Sequence, residues 1–257
     1  MNYYDSLVVF SFYFGGWLVK RFYVIIVFLL IGVFNPAFSA DEQQISELNK
    51  NTVIYPAAYD FNDFQWSVGL MGTTLPKDWV ETAIKAPLFT FNFKYGLPRN
   101  FSLSAAFEFL LVANQIRLGP QWGMEFDNFS FNVGFDLGYV FGALNQFGFK
   151  NKFKAFYNYP NISLGYRLNE LFFTLQAELM FISGRQLTTD GIETGSSVNK
   201  LPGGTISIYL EQPLWKNRIF IIGLKNNITK FYYMAWPAFT TFNKLYWIPQ
   251  LHLGLVL

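Results

Sequence analysis

The chain has 257 residues, of which 52% are hydrophobic, 21% aromatic and only 14% charged, and it contains no cysteine. This composition excludes disulfides, thiolate metal sites and a lipid-modified cysteine. The net charge of +2 is too small to indicate a nucleic-acid partner. The 31 phenylalanines and 20 glycines are unusual for a soluble α/β enzyme and favour a β-rich wall with one large apolar face and one small polar face.

Residues 1–39 are predicted to contain a secretory signal peptide. Lys20 and Arg21 precede an apolar stretch of about a dozen residues, and small residues stand at the −3 and −1 positions if cleavage follows Ser39. The apolar stretch is shorter than the roughly 20 residues of a membrane-spanning helix. Residues 1–19 do not fit a signal peptide, so we expect them to be a spurious extension, with translation starting near Val19 or the residue before it.

Residues 64–257 are predicted to form strands, because apolar and polar residues alternate along most of this region. Between Phe129 and Phe141 every second residue is large and apolar, and the residues between them are Ser, Asn, Gly or Asp, apart from Val140. Alternation places the two sets on opposite faces of a strand. The pattern recurs so often that the apolar face has no core to enter and is predicted to face lipid. The alternating segments span about residues 64–73, 89–95, 101–109, 115–126, 129–141, 161–168, 171–181, 205–211, 218–227 and 244–257.

The connections between these segments alternate in length, which places the four tight turns at one end of the predicted sheet, while the other set contains three long connections, an intermediate one at residues 74–87 and a short one near Leu111. The tight turns fall at residues 97–100, 127–128, 169–170 and 213–217. Long connections are predicted at residues 142–159, 183–202 and 229–242. Two features complicate the pattern. Ile219 and Ile221 fall on the polar face, and Pro120 and Pro249 each remove a ladder hydrogen bond, so that a bulge or a broken segment is expected there.

The polar face carries five basic and five acidic residues. This balance predicts a lumen filled by salt bridges rather than a field selective for one ion sign. The predicted strand register places Arg117 diagonal to both Glu108 and Asp136, so we expect it to be bracketed by these carboxylates. The full predicted lumen network consists of Lys94, Glu108, Arg117, Glu125, Asp136, Arg167, Glu178, Glu211, Lys225, Lys244 and His252.

His252 is the only histidine, so any acid/base catalysis centred on a histidine must use it. It is expected near the rim on the tight-turn side, away from the long loops, and no nearby serine or carboxylate forms a recognisable motif with it. The sequence contains no phosphate-binding glycine loop and no His/Cys cluster. No catalytic residue, no cofactor and no metal are therefore predicted.

The alternation, signal peptide, even strand count and aromatic last strand together resemble the bacterial outer-membrane β-barrel class over Phe64 to Leu257. The resemblance implies an all-β fold: a closed antiparallel up-and-down transmembrane β-barrel of about ten strands, with eight or twelve as alternatives. It also implies location in the bacterial outer membrane, with outer-membrane lipid and the barrel insertion machinery as partners. Residues 40–63 precede the first strand and either lie in the periplasm or fold back as a plug of the lumen.

The predicted function is that of a small, closed or narrow, non-enzymatic barrel serving surface binding or limited passage of small solutes. The class also includes enzymes, so a lipid- or peptide-hydrolysing barrel is the alternative. A second alternative is a soluble secreted barrel that binds an apolar ligand, in which the aromatic face would point inward. The direction of the aromatic rings distinguishes this alternative from a membrane barrel.

Overall fold

The computed structural model describes residues 51–76, 85–110, 113–146, 149–195, 201–214, 218–233, 236 and 244–257. The chain divides into two units, residues 1–41 and 42–257, and every described residue belongs to the second. The predicted signal peptide and start of translation lie outside the described residues. Within the described ranges, no helix is long and apolar enough to cross a membrane.

The described residues form eleven strands, most of them 10 to 20 residues long. Their bounds are β1 (Phe64–Thr74), β2 (Lys85–Gly96), β3 (Phe101–Leu110), β4 (Ala113–Phe126), β5 (Phe129–Gln146), β6 (Phe149–Leu168), β7 (Leu171–Thr189), β8 (Ile192–Gly195), β9 (Gly203–Pro213), β10 (Ile219–Thr229) and β11 (Tyr246–Val256).

Ten of these strands pair in an antiparallel ring. The strands from β1 to β7 follow one another, β7 pairs with β9, and β11 pairs with β1 to close the sheet. The short strand β8 lies outside the ring and pairs only with the end of β7. The predicted closed up-and-down barrel of about ten strands is therefore confirmed, and the alternatives of eight and twelve strands are wrong.

The large apolar side chains point away from the barrel axis, as predicted. Phe129 and Trp247 are 62% and 67% exposed, whereas the alternating Ser130, Asn132 and Asp136 are buried on the inner face. A continuous exposed apolar surface of this extent is unfavourable in water and is normal against hydrocarbon. The alternating apolar set of the described strands therefore faces outward, which is the opposite of what a soluble ligand-binding barrel requires.

Neither Pro120 nor Pro249 introduces the bulge or break that was expected. Leu118 pairs with Leu137 and Gln121 pairs with Gly134, so the register is the same on both sides of Pro120. Pro249 stands opposite Asn226 in an uninterrupted ladder. Each proline removes one backbone N–H donor from the ladder without changing the register of the neighbouring pairs.

The barrel has two distinct ends. We call the end where β1 begins the turn end, and the opposite end, where β1 ends at Thr74 and β2 begins at Lys85, the loop end. The turn end carries the tight connections at residues 97–100, 127–128 and 169–170, the end of β9, the start of β10, and both ends of the ring, at Phe64 and Val256. The turn predicted at residues 213–217 lies partly outside the described residues. Asn100, Asp127 and Asn169 adopt left-handed backbone conformations there, with φ between 49° and 61°. Asn and Asp tolerate this region better than other residues with a side chain, which explains their use in these turns.

The prediction of a long loop at residues 142–159 is wrong. Strand β5 continues to Gln146 and β6 begins at Phe149, so most of this stretch is a paired hairpin. The prediction of a loop at residues 183–202 is wrong for its first part as well, because β7 continues to Thr189 and β8 spans Ile192–Gly195. The apolar alternation ends where the wall leaves the lipid, but the backbone pairing continues beyond it.

Candidate functional site in the barrel lumen

The centre of the lumen holds a cluster of buried charges. Arg117 on β4 donates to Asp136 on β5 at 2.9 Å and also forms a salt bridge with Glu178 on β7. Lys225 on β10 pairs with Glu108 on β3 at 3.4 Å. These five side chains carry two positive and three negative formal charges, and none of the five is exposed. Such charges remain stable in a low-dielectric interior only when they are paired.

Arg117 is thus bracketed by two carboxylates, one of which differs from the prediction. Asp136 is the partner that the register predicts, but the second is Glu178, while Glu108 is paired with Lys225 instead. Arg117 stands opposite Gly138, so its side chain is able to pass over β5 toward β7. The concave inner wall brings inward side chains of non-adjacent strands together, which a pairwise register does not show.

Aromatic and amide groups complete the hydrogen bonding of this central cluster. The Arg117 guanidinium carbon lies 4.2 Å from the centre of the Tyr159 ring, and the Tyr159 hydroxyl accepts a hydrogen bond from Gln115 at 2.6 Å. Tyr233 donates its hydroxyl proton to Glu108 at 2.6 Å. Burial raises the pKa of the Tyr233 phenol well above its ordinary value, so this hydroxyl stays protonated and acts as a donor.

The turn end of the lumen is filled by residues 52–59, which precede the first strand. The fully buried Glu211 accepts backbone N–H bonds from Val53 at 2.8 Å, from Ile54 at 3.2 Å and from Tyr55 at 2.5 Å. One carboxylate thereby satisfies three consecutive backbone donors that have no strand partner. Charge-assisted bonds of this kind are stronger than neutral ones, so Glu211 is the principal anchor of this segment.

Two further wall residues hold the same segment. Lys94 donates to the carbonyl oxygens of Tyr55 at 3.2 Å and Ala57 at 3.4 Å, and its ammonium lies 4.4 Å from the centre of the Tyr59 ring. Glu125, at the rim, accepts the backbone N–H of Ala58 at 2.8 Å. Three predicted lumen charges thus bind the main chain of residues 53–58 rather than one another.

The irregular alternation of β10 also has its explanation in this segment. Ile219 and Ile221 point inward, are fully buried, and form an apolar cluster with Val53, Tyr209 and Val256. Apolar side chains on the inner wall are unfavourable in a water-filled lumen but favourable against a packed segment. The two isoleucines are therefore a sequence signal for lumen filling at the turn end.

The loop end of the lumen is closed by four aromatic residues that follow β10: Phe231, Tyr232, Tyr233 and Trp236. Phe231 and Trp236 are buried, and both stack on Phe153 of β6, at ring distances of 5.8 and 5.6 Å. Tyr232 accepts a hydrogen bond from Gln250 at 2.7 Å. Inward apolar side chains of the wall surround this group: Met71, Leu88, Ala113, Val140, Ala155, Ile182 and Ile248.

A polar cavity of about 120 Å³ lies between these two packed regions. Ile54 and Pro56 border it on the side of the turn end, and the side chains of Arg117, Glu178 and Lys225 also line it. It offers both charge signs and several hydrogen-bonding groups in a volume that suits water molecules or a very small polar solute.

His252 lies in the lumen, near the middle of β11, rather than at the rim where it was expected. It pairs with Met71 on β1 and Gly223 on β10. Its Nε2 lies 3.0 Å from the Thr90 hydroxyl, and its ring meets Tyr209 edge-on at 6.0 Å. In the part of the chain that the structure describes, no carboxylate lies within hydrogen-bond distance of the ring, and no group of three or more acidic or histidine side chains is placed to hold a metal ion.

Two further predicted members of the lumen network, Lys244 and Arg167, lie near strand ends rather than in the central cluster. Lys244 is exposed, precedes β11, and lies 4.9 Å from the centre of the Tyr246 ring. Arg167 lies at the turn-end rim, where it donates to Asp127 and Asn128 of a neighbouring turn. Both residues fall close to strand ends, where side chains are able to reach solvent on either side of the wall.

Replacing Gly165 with alanine is expected to weaken the packing of the segment at the turn end. A Cβ at Gly165 would first meet the Ser130 hydroxyl of the neighbouring strand, and it would lie 2.5 Å from a ring carbon of Tyr55 and 2.9 Å from Pro56, whereas one at Gly72 would meet nothing within 4 Å. Overpacking of this kind typically destabilises by about 1–3 kcal/mol. Urea unfolding of the refolded protein checks this, with Gly72→Ala as the matched control. Equal unfolding midpoints for the two variants would contradict the proposed contact.

The closed ring and its exposed apolar exterior define the class of this chain as a membrane β-barrel. No protein-family model and no curated protein matches the sequence. Among solved structures, it is similar to Neisserial surface protein A, with 11% identity over 76% of this chain and 96% of that chain and a TM-score of 0.36.

Two other similar structures are the KdgM porin and the translocator domain of the autotransporter NalP from Neisseria meningitidis. The KdgM porin is 12% identical over 74% of this chain and 97% of that chain, with a TM-score of 0.36. The NalP translocator domain is 10% identical over 75% of this chain and 87% of that chain, with a TM-score of 0.37. The assignment to the class of membrane β-barrels depends on the strand pairing and surface of this chain itself.

Proposed function

We propose that this chain is an integral outer-membrane β-barrel with an occluded lumen, that it is not an enzyme, and that it acts by binding at its loop end. The observation that carries the proposal is the filling of the lumen at both ends. Residues 52–59 pack at the turn end, and Phe231, Tyr232, Tyr233 and Trp236 pack at the loop end. An open pore needs a continuous aqueous path, and a ring of ten strands has little free cross-section once it is filled.

The outer-membrane location is supported by the two-ended architecture. Barrels of this class place tight turns in the periplasm and longer connections outside. The turn end would then face the periplasm and the loop end the exterior, where β5, β6 and β7, the three longest of the described strands, offer a surface for a partner. We also propose that the barrel insertion machinery inserts this chain into the outer membrane. Loss of the folded, heat-modifiable form from the outer-membrane fraction on depletion of that machinery would support it.

Planar-bilayer recording of the refolded full chain tests the occluded lumen. We expect no stepwise conductance above the lipid baseline, because both ends of the lumen are packed. A known open porin, refolded in the same way, is the positive control. Steady single-channel steps would contradict an occluded lumen and would support passage of small solutes.

Limited passage of small solutes is the second candidate, and the central polar cavity favours it. The cavity carries both charge signs and lies between the two packed regions. Solute flux would then require movement of residues 52–59 and of the residues that follow β10. Liposome swelling with small neutral and charged solutes distinguishes the two candidates, since an occluded barrel gives no swelling above that of empty liposomes.

A further inference from the structure

Three lysines form a row on the outer face of β6 at the loop end. Lys150, Lys152 and Lys154 are all exposed, whereas the alternating Phe153 and Ala155 are buried on the inner face. We call Lys150, Lys152 and Lys154 the lysine row. It is separate from the lumen and takes no part in the packing described above.

The lysine row begins where the apolar band of β6 ends. The outward positions from Tyr166 to Phe156 are mostly apolar, and both terminal rings are exposed. These positions span ten residue steps, or about 34 Å along the strand, which corresponds to a height of about 26 Å at a strand tilt of about 40°. That height matches the roughly 25 Å apolar band of outer-membrane barrels. Lys154 therefore lies one outward position, about 7 Å along the strand, beyond the hydrocarbon boundary.

Aromatic side chains mark the same boundary directly below the row. Tyr139 lies 5.7 Å from Phe141 and 4.8 Å from Phe156 between ring centres. Clusters of outward aromatic rings occur at the interfaces of membrane barrels, at the level of the lipid head groups. Lysine side chains just beyond such a cluster extend into the layer where lipid phosphates lie.

The residues directly opposite the lysine row on the two neighbouring strands carry no charge. On β5 the row stands opposite Phe141, Ala143 and Asn145. On β7, Thr188 and Gln186 stand opposite Lys152 and Lys154. Two of the described carboxylates lie near the row without forming a salt bridge to it: Asp190 accepts the backbone N–H of Lys150, and Glu193 accepts a hydrogen bond from Gln186. Within the described residues, no salt bridge joins any of the three lysines to a carboxylate.

We propose that the lysine row is a binding site for the phosphate groups of lipid head groups in the leaflet at the loop end. This inference deepens the proposed function, since it assumes that the barrel lies in a membrane. The position of the row favours lipid over a soluble partner, because its lowest lysine adjoins the aromatic boundary. A row of positive charges at this height attracts anionic lipid, and the attraction falls with ionic strength.

Native mass spectrometry of the refolded full chain in detergent micelles, titrated with diphosphoryl lipid A, tests the proposal. The K152Q/K154Q variant is expected to bind this lipid about thirtyfold more weakly than the wild type at low salt, given the usual contribution of each surface lysine. K152R/K154R keeps the charge and should retain the affinity. Phosphatidylcholine, which has no net charge, should bind equally to all variants.

The matched control is R99Q/R218Q, which removes the same charge at the turn end. It is expected to bind diphosphoryl lipid A like the wild type. Equal affinity of the wild type and K152Q/K154Q, or an equal loss in the control, would overturn the lysine row as the site. Competition by inorganic phosphate equal to that by the lipid would overturn the lipid as its ligand.

A separate measurement tests the assumption that the barrel lies in a membrane. The wild type is refolded into phosphatidylcholine vesicles and its migration is compared with and without heating. Failure to form a heat-modifiable barrel would contradict the proposed function. A folded barrel without preference for the phosphorylated lipid would overturn only the lysine-row site.

Discussion

Replacing Glu211 with leucine is expected to release residues 53–59 from the turn end of the barrel while the barrel itself stays folded. The carboxylate accepts three backbone N–H bonds, and each buried donor left without a partner costs about 1–3 kcal/mol. Leucine is similar in size and is compatible with Ile221, which stands opposite on β10. Lys94 would also lose its nearest anchored acidic neighbour, so its hold on the carbonyl oxygens of Tyr55 and Ala57 would not compensate.

Chymotrypsin cleavage after Tyr59 measures this release, because this side chain is only 3% exposed in the packed arrangement. A brief digestion in detergent should cut the Glu211→Leu variant after Tyr59 and leave this bond intact in the wild type, with mass spectrometry separating this cut from cleavage after the exposed Phe61. Glu211→Gln, which keeps one carbonyl acceptor, should give an intermediate rate. Glu193→Leu removes an exposed carboxylate at the loop end and should behave like the wild type. Protection of Glu211→Leu equal to that of the wild type would show that Glu211 is not the anchor.

The barrel could be predicted from the sequence because lipid imposes one simple rule on its outer face. Alternation from Phe129 to Phe141 fixes which side chains point outward, and the same rule applies to every strand of the ring. The rule stops at the hydrocarbon boundary. Beyond it, the outward positions become Lys154, Lys152 and Lys150, and a loop was predicted although the backbone pairing continues.

The interior could be predicted only in part, because it depends on contacts between strands that are not neighbours. Pairing along β4 and β5 places Asp136 beside Arg117, and this contact was predicted correctly. Glu178 belongs to β7, and only the curvature of the closed wall brings it to Arg117. The register of a single pair of neighbouring strands does not give the distance between strands further apart, because barrel size depends on strand number and on the stagger summed around the whole ring.

Apolar residues on the polar inner face are a sequence signal that the lumen is filled. Ile219 and Ile221 broke the polar inner face of β10, and Val140 did the same in β5. In the structure these residues pack against two different segments, one at each end of the lumen. Apolar residues on the inner face of a small barrel therefore indicate where a segment fills it, although they do not identify the segment.

The central charges and the two packed regions form one continuous interior. Glu108 is the link at the loop end, since it pairs with Lys225 and accepts the hydroxyl proton of Tyr233. At the other end, Lys94 and Glu211 pair with main-chain groups instead of with the central cluster. Each buried charge in this arrangement holds a different part of the interior, so single replacements should have distinct effects.

Replacing Arg117 with methionine is expected to destabilise the folded barrel by about 3–5 kcal/mol, the usual effect of removing one partner from a buried ion pair. Asp136 and Glu178 would lose their shared cation in a buried site, while Lys225 is already paired with Glu108. Asp136 would keep only neutral donors, from Ser104 at 3.1 Å and Asn161 at 3.3 Å. Arg117→Lys should recover part of the loss, because a single ammonium does not bridge two carboxylates as a guanidinium does.

Urea unfolding of the refolded variants in lipid vesicles measures the change in the free energy of unfolding. The triple variant R117M/D136N/E178Q removes the charge together with both counter-charges and should return close to the wild-type value, because a neutral, hydrogen-bonded interior of similar volume has no unpaired charge. Arg218→Met, at the turn end, is the control for loss of one positive charge and should change stability little. If R117M and the triple variant lose the same stability, the effect lies in packing, and the buried pairing of Arg117 does not hold the centre of the barrel.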